Sequence, residues 1–251
     1  MSPLFNLCII MYTSNMPRLI FDIETIGEDF DKFDEITQEN LTRWIKKDTE
    51  SEEGYQRELE NVKNGLGFSP LTGEVVVIGV LDYDKNQGVI YFQAPNKKIK
   101  DFEENGFKFK QATEKEMLES FWNGIKNYQE FVSFNGRGFD VPFLMIRSAI
   151  CGIRPSKNLM SNRYLGSQNY EAKHIDLMDQ LSFYGALRKR GNLHLYSRAF
   201  GIKSPKAEGI TGDDVDRLFK EGKFEDVVKY NKNDLIATKE LFEYWNKYLK
   251  F

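Results

Sequence analysis

Asp22 and Glu24 stand two residues apart in RLIFDIET, a β-rich stretch near the start of the chain. On a strand, alternate side chains share a face, so both carboxylates point one way while Phe21 and Ile23 point the other. Two carboxylates on one face repel unless a cation lies between them, and carboxylate oxygens suit hard cations such as magnesium or manganese. A solvated strand end has the same pattern, and Asp101-Phe102-Glu103 repeats it in what reads as a charged loop, where it carries no chemistry. Asp140 follows a strand end and the Gly-flexible turn FNGRGF, and it heads a helix with Pro142 in the first turn. That position suits an N-cap, or a carboxylate projecting over the strand ends. Tyr230 and Asp234 lie at i and i+4 on one helix face; of the twelve tyrosines, only Tyr230 is followed four residues later by aspartate. A surface pair, or a tyrosine packed in the core, has that spacing too. His174 and Asp179 form a rival H-x-x-x-x-D pattern. The stretch HIDLM alternates like a strand, which would send those two side chains to opposite faces. His174 is therefore expected to be structural, or to support the site from behind.

The elements that must position these residues can be read in order. Residues 18–23 form a strand. Residues 27–60 are strongly acidic, with helical stretches around 37–47 and 52–64; with the approach to residue 72 they form a helical insertion, too short to hold a core of its own. This acidic insertion suits a partner-docking surface or a solvated cap, and the cap is the expectation. EVVVIGVLDY (74–83) is a buried strand, the turn DKNQG follows, and residues 89–93 return as its hairpin partner. A short edge at 107–110 precedes a helix over 114–128, periodic through Met117, Leu118, Phe121, Trp122 and Ile125. Then come a strand at 131–134, a helix from 140 to 150, a short stretch at 173–178, and helices to the end, the last spanning 224–249. Antiparallel strands first and βα units later predict an α/β fold with a mixed sheet flanked by helices. That order resembles the ribonuclease H-like fold, whose central first strand carries acidic residues.

Composition narrows the chemistry. The 251 residues are 41% hydrophobic and 14% aromatic, enough for a sizeable core and incompatible with global disorder. No apolar run approaches the roughly 20 residues of a membrane span. Two cysteines, Cys8 and Cys151, exclude a disulfide framework and a four-cysteine zinc site, and two histidines argue against a histidine-rich metal site. Any metal must then be held by carboxylates. The net charge of −3 hides an asymmetry, since residues 1–140 carry 16 Lys+Arg against 25 Asp+Glu and residues 141–251 carry 19 against 13. An acidic chain is a poor coating-type nucleic-acid binder, yet a basic face beside an acidic centre is compatible with a phosphate-backbone substrate. Residues 1–15 lack the basic start and small-residue cleavage site of a signal peptide; they read as an extension or tail before a single domain at 16–251, and the expected compartment is the cytoplasm.

In order, FDIET, NGRGFDVPFL and YNKND resemble the three exonuclease motifs of the DEDD superfamily in its tyrosine form. The resemblance is to stand-alone predicted 3′–5′ exonucleases related to the proofreading domain of family B DNA polymerases. It extends through SPLTGEVVVIG, NRY…HIDLMDQLSFYG and GIKSPK…GDDV, and it covers residues 16–249. It implies that Asp22, Glu24, Asp140 and Asp234 are ligands of two divalent cations, Mg2+ or Mn2+, and that Tyr230 positions the attacking water. Such ions, about 3.5–4 Å apart, stabilise both the attacking and the leaving oxygen of phosphodiester hydrolysis. Asn231 and Asn233 depart from the cysteine or acidic residues frequent in relatives, a change expected to leave metal binding untouched. Asn135 and Phe139 either hold and stack terminal nucleotides or serve as turn and core residues. Lys203, Lys206 and the run Arg188-Lys189-Arg190 either track phosphates or form a solvated face.

The implied activity removes nucleoside 5′-monophosphates from the 3′ end of single-stranded DNA, so the expected partner is nucleic acid with a free 3′ end. The alternatives are RNA as substrate, a catalytically idle nucleic-acid-binding module, and an endonuclease on the same fold. The presence of all four carboxylates and the tyrosine argues against the idle module. No polymerase domain fits within 251 residues, so the expected role is repair or trimming rather than proofreading in cis.

Overall fold

Strand β1 (Arg18–Gly27) alternates as its sequence requires, sending Leu19, Phe21 and Ile23 to one side and Ile20 and Ile26 to the other. The computed structural model describes residues 16–48, 51–204, 209 and 211–250; the expected tail at 1–15 and Lys206 lie outside them. Beside β1 run β2 (Gly73–Asp82), antiparallel, and β6 (Glu130–Ser133), parallel. With β3 (Gln87–Phe92), β4 (Phe102–Glu104), β5 (Phe107–Gln111) and β7 (Lys173–Asp176), they form a seven-stranded mixed sheet among the described residues. Its order is β4-β5-β3-β2-β1-β6-β7, so β1 is interior and its carboxylates sit at the middle of the molecule.

Helices cover both faces. On one face α4 (Glu114–Gly124) and α5 (Asp140–Ile150) pack Met117, Phe121, Trp122, Val141 and Leu144 against Phe21 and Ile78. On the other, α9 (Phe224–Tyr248) lays Val227, Leu235, Leu241 and Phe242 against Ile20, Val77 and Leu81. Burying a side chain of this size contributes about 1.5–3 kcal/mol, so these two layers hold the helices that carry Asp140, Tyr230 and Asp234. Between β1 and β2 lie α1 (Glu35–Thr42), α2 (Ile45–Asp48) and α3 (Glu52–Gly65), the expected helical insertion. Among the described residues the remaining α-helices are α6 (Leu177–Leu181), α7 (Leu193–Phe200) and α8 (Val215–Lys220). No described helix is long and apolar enough to cross a membrane.

Two elements differ from the sequence expectation. Strand β1 runs on to Gly27 rather than stopping at residue 23, because a register shift between Glu24 and Thr25 lets Thr25 to Gly27 keep pairing with β2. A bulge of this kind bends a strand and re-aims its side chains, here immediately after Glu24. The stretch around Asp101-Phe102-Glu103 is not a loop, since Phe102–Glu104 forms the edge strand β4. Phe102 stacks on Phe109 with centroids 4.4 Å apart, and Glu103 pairs with Lys108 at 3.2 Å. Such cross-strand pairs stabilise an exposed edge that hydrophobic alternation alone does not reveal.

Candidate active site

Strand β1 aims Asp22 and Glu24 at helix α9, and α9 returns Tyr230 and Asp234 on its buried face. Carboxylate oxygens of Asp22, Glu24 and Asp234 lie within 4.8 Å of one another. Glu24, Tyr230 and Asp234 are buried, so Tyr230 and Asp234 are not a surface pair. Asp140 approaches from α5 and is also buried; its Oδ1 accepts a hydrogen bond from the Ile23 backbone N–H at 3.1 Å. It stands in the first turn of α5 rather than at the N-cap, which is Phe139 and makes no side-chain capping bond. Asp140 therefore adjoins the three-carboxylate cluster, with one oxygen turned to the β1 backbone.

The turn that delivers Asp140 is shaped by Asp176, at the end of β7. Its carboxylate accepts from the backbone N–H groups of Asn135, Arg137 and Met178, each at 2.9 Å. Asn135 takes a left-handed conformation with φ of 63°, and its carbonyl receives the N–H groups of Gly138 and Phe139. Asn135 thus forms the turn with its backbone. Phe139 is half-buried, 5.5 Å from Phe143 and 6.5 Å from Phe68 by ring centroids. Lys203 and the run Arg188-Lys189-Arg190 are exposed.

His174 serves the core. It is 1% exposed, and its Nδ1 donates to the Leu159 carbonyl at 3.1 Å, which leaves Nε2 to accept from the Ser133 hydroxyl at 2.7 Å. Burial pushes its pKa down to about 3, so the ring is neutral. Asp179 lies on α6 and is held by Arg163, so the rival pair does not form a joint site.

Electrostatics explain what the carboxylate cluster needs. Desolvation raises Asp22 well above the usual carboxylate range, and the charges of Asp140, Glu24 and Asp234 raise it further. Glu24 is raised by desolvation and then by Asp234, with the Asn231 amide opposing. Asp140 is pushed up to about 7, chiefly by desolvation, although the Ile23 N–H favours its anion. Tyr230 is raised too, by desolvation first and then by Glu24, Asp234 and Asp22, so it stays a neutral phenol. Close carboxylates that resist ionising together are what a divalent cation stabilises, and an all-oxygen donor set fits magnesium or manganese.

Sequence reasoning set Asn231 aside as neutral to metal binding and did not single out Gly79. Asn231 is fully buried, and its Nδ2 donates to Asp22 Oδ2 at 2.8 Å and to Glu24 Oε1 at 3.3 Å. Its position beside Tyr230 therefore bears directly on both β1 carboxylates. Gly79 pairs with Asp22 across the sheet, and a Cβ there would come within 1.9 Å of Asn231 Oδ1 and 2.8 Å of Leu235 Cδ1. The missing side chain is what lets α9 lie close enough for Asn231 to reach both carboxylates. A glycine inside the valine-rich run EVVVIGVL signals such a close approach.

Comparison with known proteins agrees with this geometry. The family model described as "Predicted 3'-5' exonuclease related to the exonuclease domain of PolB" matches residues 79–249, from Gly79 through the end of α9. The match begins after Asp22 and Glu24, which the sheet joins to it through the β1–β2 pairing. Among solved structures, the family B DNA polymerase from the hyperthermophilic archaeon Pyrobaculum calidifontis is similar, with a TM-score of 0.58 and 16% identity. The similarity covers 92% of this chain but only 24% of the polymerase. No curated protein sequence matches the chain. The mixed seven-stranded sheet flanked by helices is accordingly ribonuclease H-like, as the element order predicts. From Gly79 to Leu249 the sequence follows one family pattern, and the chain belongs to the predicted 3′–5′ exonucleases related to the exonuclease domain of PolB.

Proposed function

We propose that residues 16–251 act as one exonuclease domain that removes nucleoside 5′-monophosphates from the 3′ end of single-stranded DNA. The observation that carries this reading is the convergence of Asp22, Glu24 and Asp234 within 4.8 Å, with Asp140 and Tyr230 beside them, in a chain of this family. Two divalent cations, Mg2+ or Mn2+, held by Asp22, Glu24, Asp140 and Asp234, would supply positive charge beside the phosphate oxygens that gain charge during hydrolysis. The protein's own residues do the positioning. Asn231 spreads two N–H groups across Asp22 and Glu24 and fixes their orientation. The neutral Tyr230 phenol is both donor and acceptor, so it orients the attacking water in line with the departing 3′ oxygen. Water forms the new bond to phosphorus, the bond to the 3′ oxygen breaks, and the leaving oxygen takes up a proton. A single strand is preferred because the last phosphodiester must reach carboxylates that are buried between β1 and α9.

Tyr230→Phe tests the tyrosine's part. Losing a positioned proton donor and acceptor is expected to lower kcat about 10²-fold, with KM and manganese affinity unchanged. His174→Ala is expected to lower thermal stability while retaining turnover. Single-turnover rates with circular dichroism for both variants decide it: a folded His174→Ala without activity, beside a fully active Tyr230→Phe, contradicts the assignment.

A further inference from the structure

A small cavity of about 240 Å³ opens where the turn after β6 meets the end of β7 and the start of α6. None of Asp22, Glu24, Asp140 and Asp234 lines it. Its wall brings three guanidinium groups, Arg137, Arg163 and Arg190, together with two carboxylates, Asp176 and Asp179. Both carboxylates are already engaged. Asp176 accepts three backbone N–H groups, those of Asn135, Arg137 and Met178. Asp179 takes a two-pronged pair from Arg163, with Nε at 2.9 Å and Nη2 at 2.5 Å. Arg163 and Asp179 thus balance each other, and the charges of Arg137 and Arg190 are left to the cavity.

Those two arginines differ in how they are held. Arg137 is half-buried, and its Nη1 donates to the Leu159 carbonyl at 3.1 Å, which uses one of the five N–H donors of a guanidinium. Burial pulls its pKa down while Asp179 and Asp176 push it up, and arginine stays charged throughout. Arg190 is exposed and brings the second fork from the loop before α7. A fixed fork beside a movable one, in a space below the roughly 300–1,000 Å³ that encloses a drug-sized ligand, suits a single small anion. Guanidinium forks match phosphate oxygens in charge and geometry.

We infer that Arg137 and Arg190 grip one internal phosphodiester of the strand, upstream of the bond that is cut. The inference rests on the 3′-exonuclease reading and deepens it. Arg137 stands three residues before Asp140, and its backbone N–H is tied to Asp176, so a strand held here is held by the same turn that carries Asp140. A phosphate contact fixes register without reading the bases, so the grip serves every sequence.

Equilibrium binding tests the grip apart from turnover. The full chain, with calcium in place of magnesium, is titrated into 5′-labelled single-stranded octamers in which one linkage at a time is a neutral methylphosphonate. Losing one charge-assisted contact is expected to weaken wild-type binding about tenfold at one internal linkage. Arg190→Gln binds the unmodified strand about tenfold more weakly, shows no further loss at that linkage, and lowers the slope of log affinity against log salt by about one. Arg190→Lys keeps the charge and the sensitivity. The exposed position of Arg190 lets these variants keep their fold, which a melting curve checks. A wild type to which no linkage matters more than its neighbours, or an Arg190→Gln protein with undiminished sensitivity, overturns the inference even if the strand is degraded. Inorganic phosphate alone is the second probe. Phosphate that raises the melting temperature of the wild type but not of Arg190→Gln, with every neutral linkage tolerated, assigns the cavity to free phosphate and also overturns the inference. The expected linkage pattern in a protein that never shortens DNA in magnesium or manganese supports the grip and refutes the exonuclease reading alone.

Discussion

Asp140→Asn is expected to abolish most turnover and to make the metal-free protein more stable. Both effects follow from one property of the site. The Asp140 carboxyl is buried among like charges and titrates at about 7 instead of the ordinary range near 3.8. Asparagine has the same shape, and its Oδ1 can still accept the Ile23 N–H, so the variant removes charge with little change in packing. On the proposed function, several kcal/mol of transition-state stabilisation would depend on ions that this charge would help to hold, and losing about 4 kcal/mol slows a reaction about 10³-fold.

Stability moves the other way. The folded protein binds this proton more tightly than the unfolded chain, so the contribution is fully present below about pH 4 and is lost as pH rises to about 7. The raised Asp22 and Glu24 act in the same direction. In chelator at pH 8, Asp140→Asn should therefore melt higher than wild type by about 5 °C, the shift expected for a gain of a couple of kcal/mol in a domain of this size. The difference should vanish near pH 4. Added manganese at 100 times its Kd should stabilise the wild type by about 2.7 kcal/mol and the variant by less. Melting curves from pH 4 to pH 8, with and without metal, check all three. A variant less stable than wild type throughout would show that Asp140 is held for packing, not for charge.

Gly79→Ala should be nearly as damaging, although it adds only a methyl group to a strand. The new Cβ would sit 1.9 Å from Asn231 Oδ1 and 2.8 Å from Leu235 Cδ1, so Asn231 must rotate or α9 must lift. If the amide rotates, Asp22 and Glu24 lose the donor they share. If the helix lifts, Asp234 and Tyr230 leave the site with it. Overpacking of this kind costs about 1–3 kcal/mol, and displacing reacting groups by about 1 Å costs on the order of 10²-fold in rate. The expected result is a folded protein with a lower denaturant midpoint, kcat down about 10²-fold and weaker manganese binding. Wild-type activity in Gly79→Ala would remove the Gly79–Asn231 contact from the determinants of the site.

The main elements are legible because their signals are local. The alternation of RLIFDI, the valine run of β2 and the 3.6-residue period of α4 and α9 each dictate a buried face. Asp22, Glu24, Tyr230 and Asp234 are readable for the same reason: i, i+2 on a strand and i, i+4 on a helix fix which side chains travel together. Asn231 was not, since its partners are 209 and 207 residues away and only the sheet brings them to it. Strand β4 depends on pairing with β5, and the length of β1 depends on a bulge, neither of which has a periodic signature. The insertion's acidic composition suggested a solvated surface, while its contact with β1 rests on Gly67 at its far end, which accepts from Thr25 and lies too close to Gly27 for a side chain.

The most direct measurement is a time course on 5′-labelled single-stranded DNA, with a matched RNA, in magnesium, manganese or chelator, with Asp140→Asn protein prepared in parallel. The expected result is a ladder that shortens one nucleotide at a time from the 3′ end of the DNA, requires metal, releases nucleoside 5′-monophosphates and is lost in the variant. Intact strands with folded, metal-loaded wild-type protein, or a ladder that persists undiminished with Asp140→Asn, would contradict the assignment of this site as a 3′–5′ exonuclease centre.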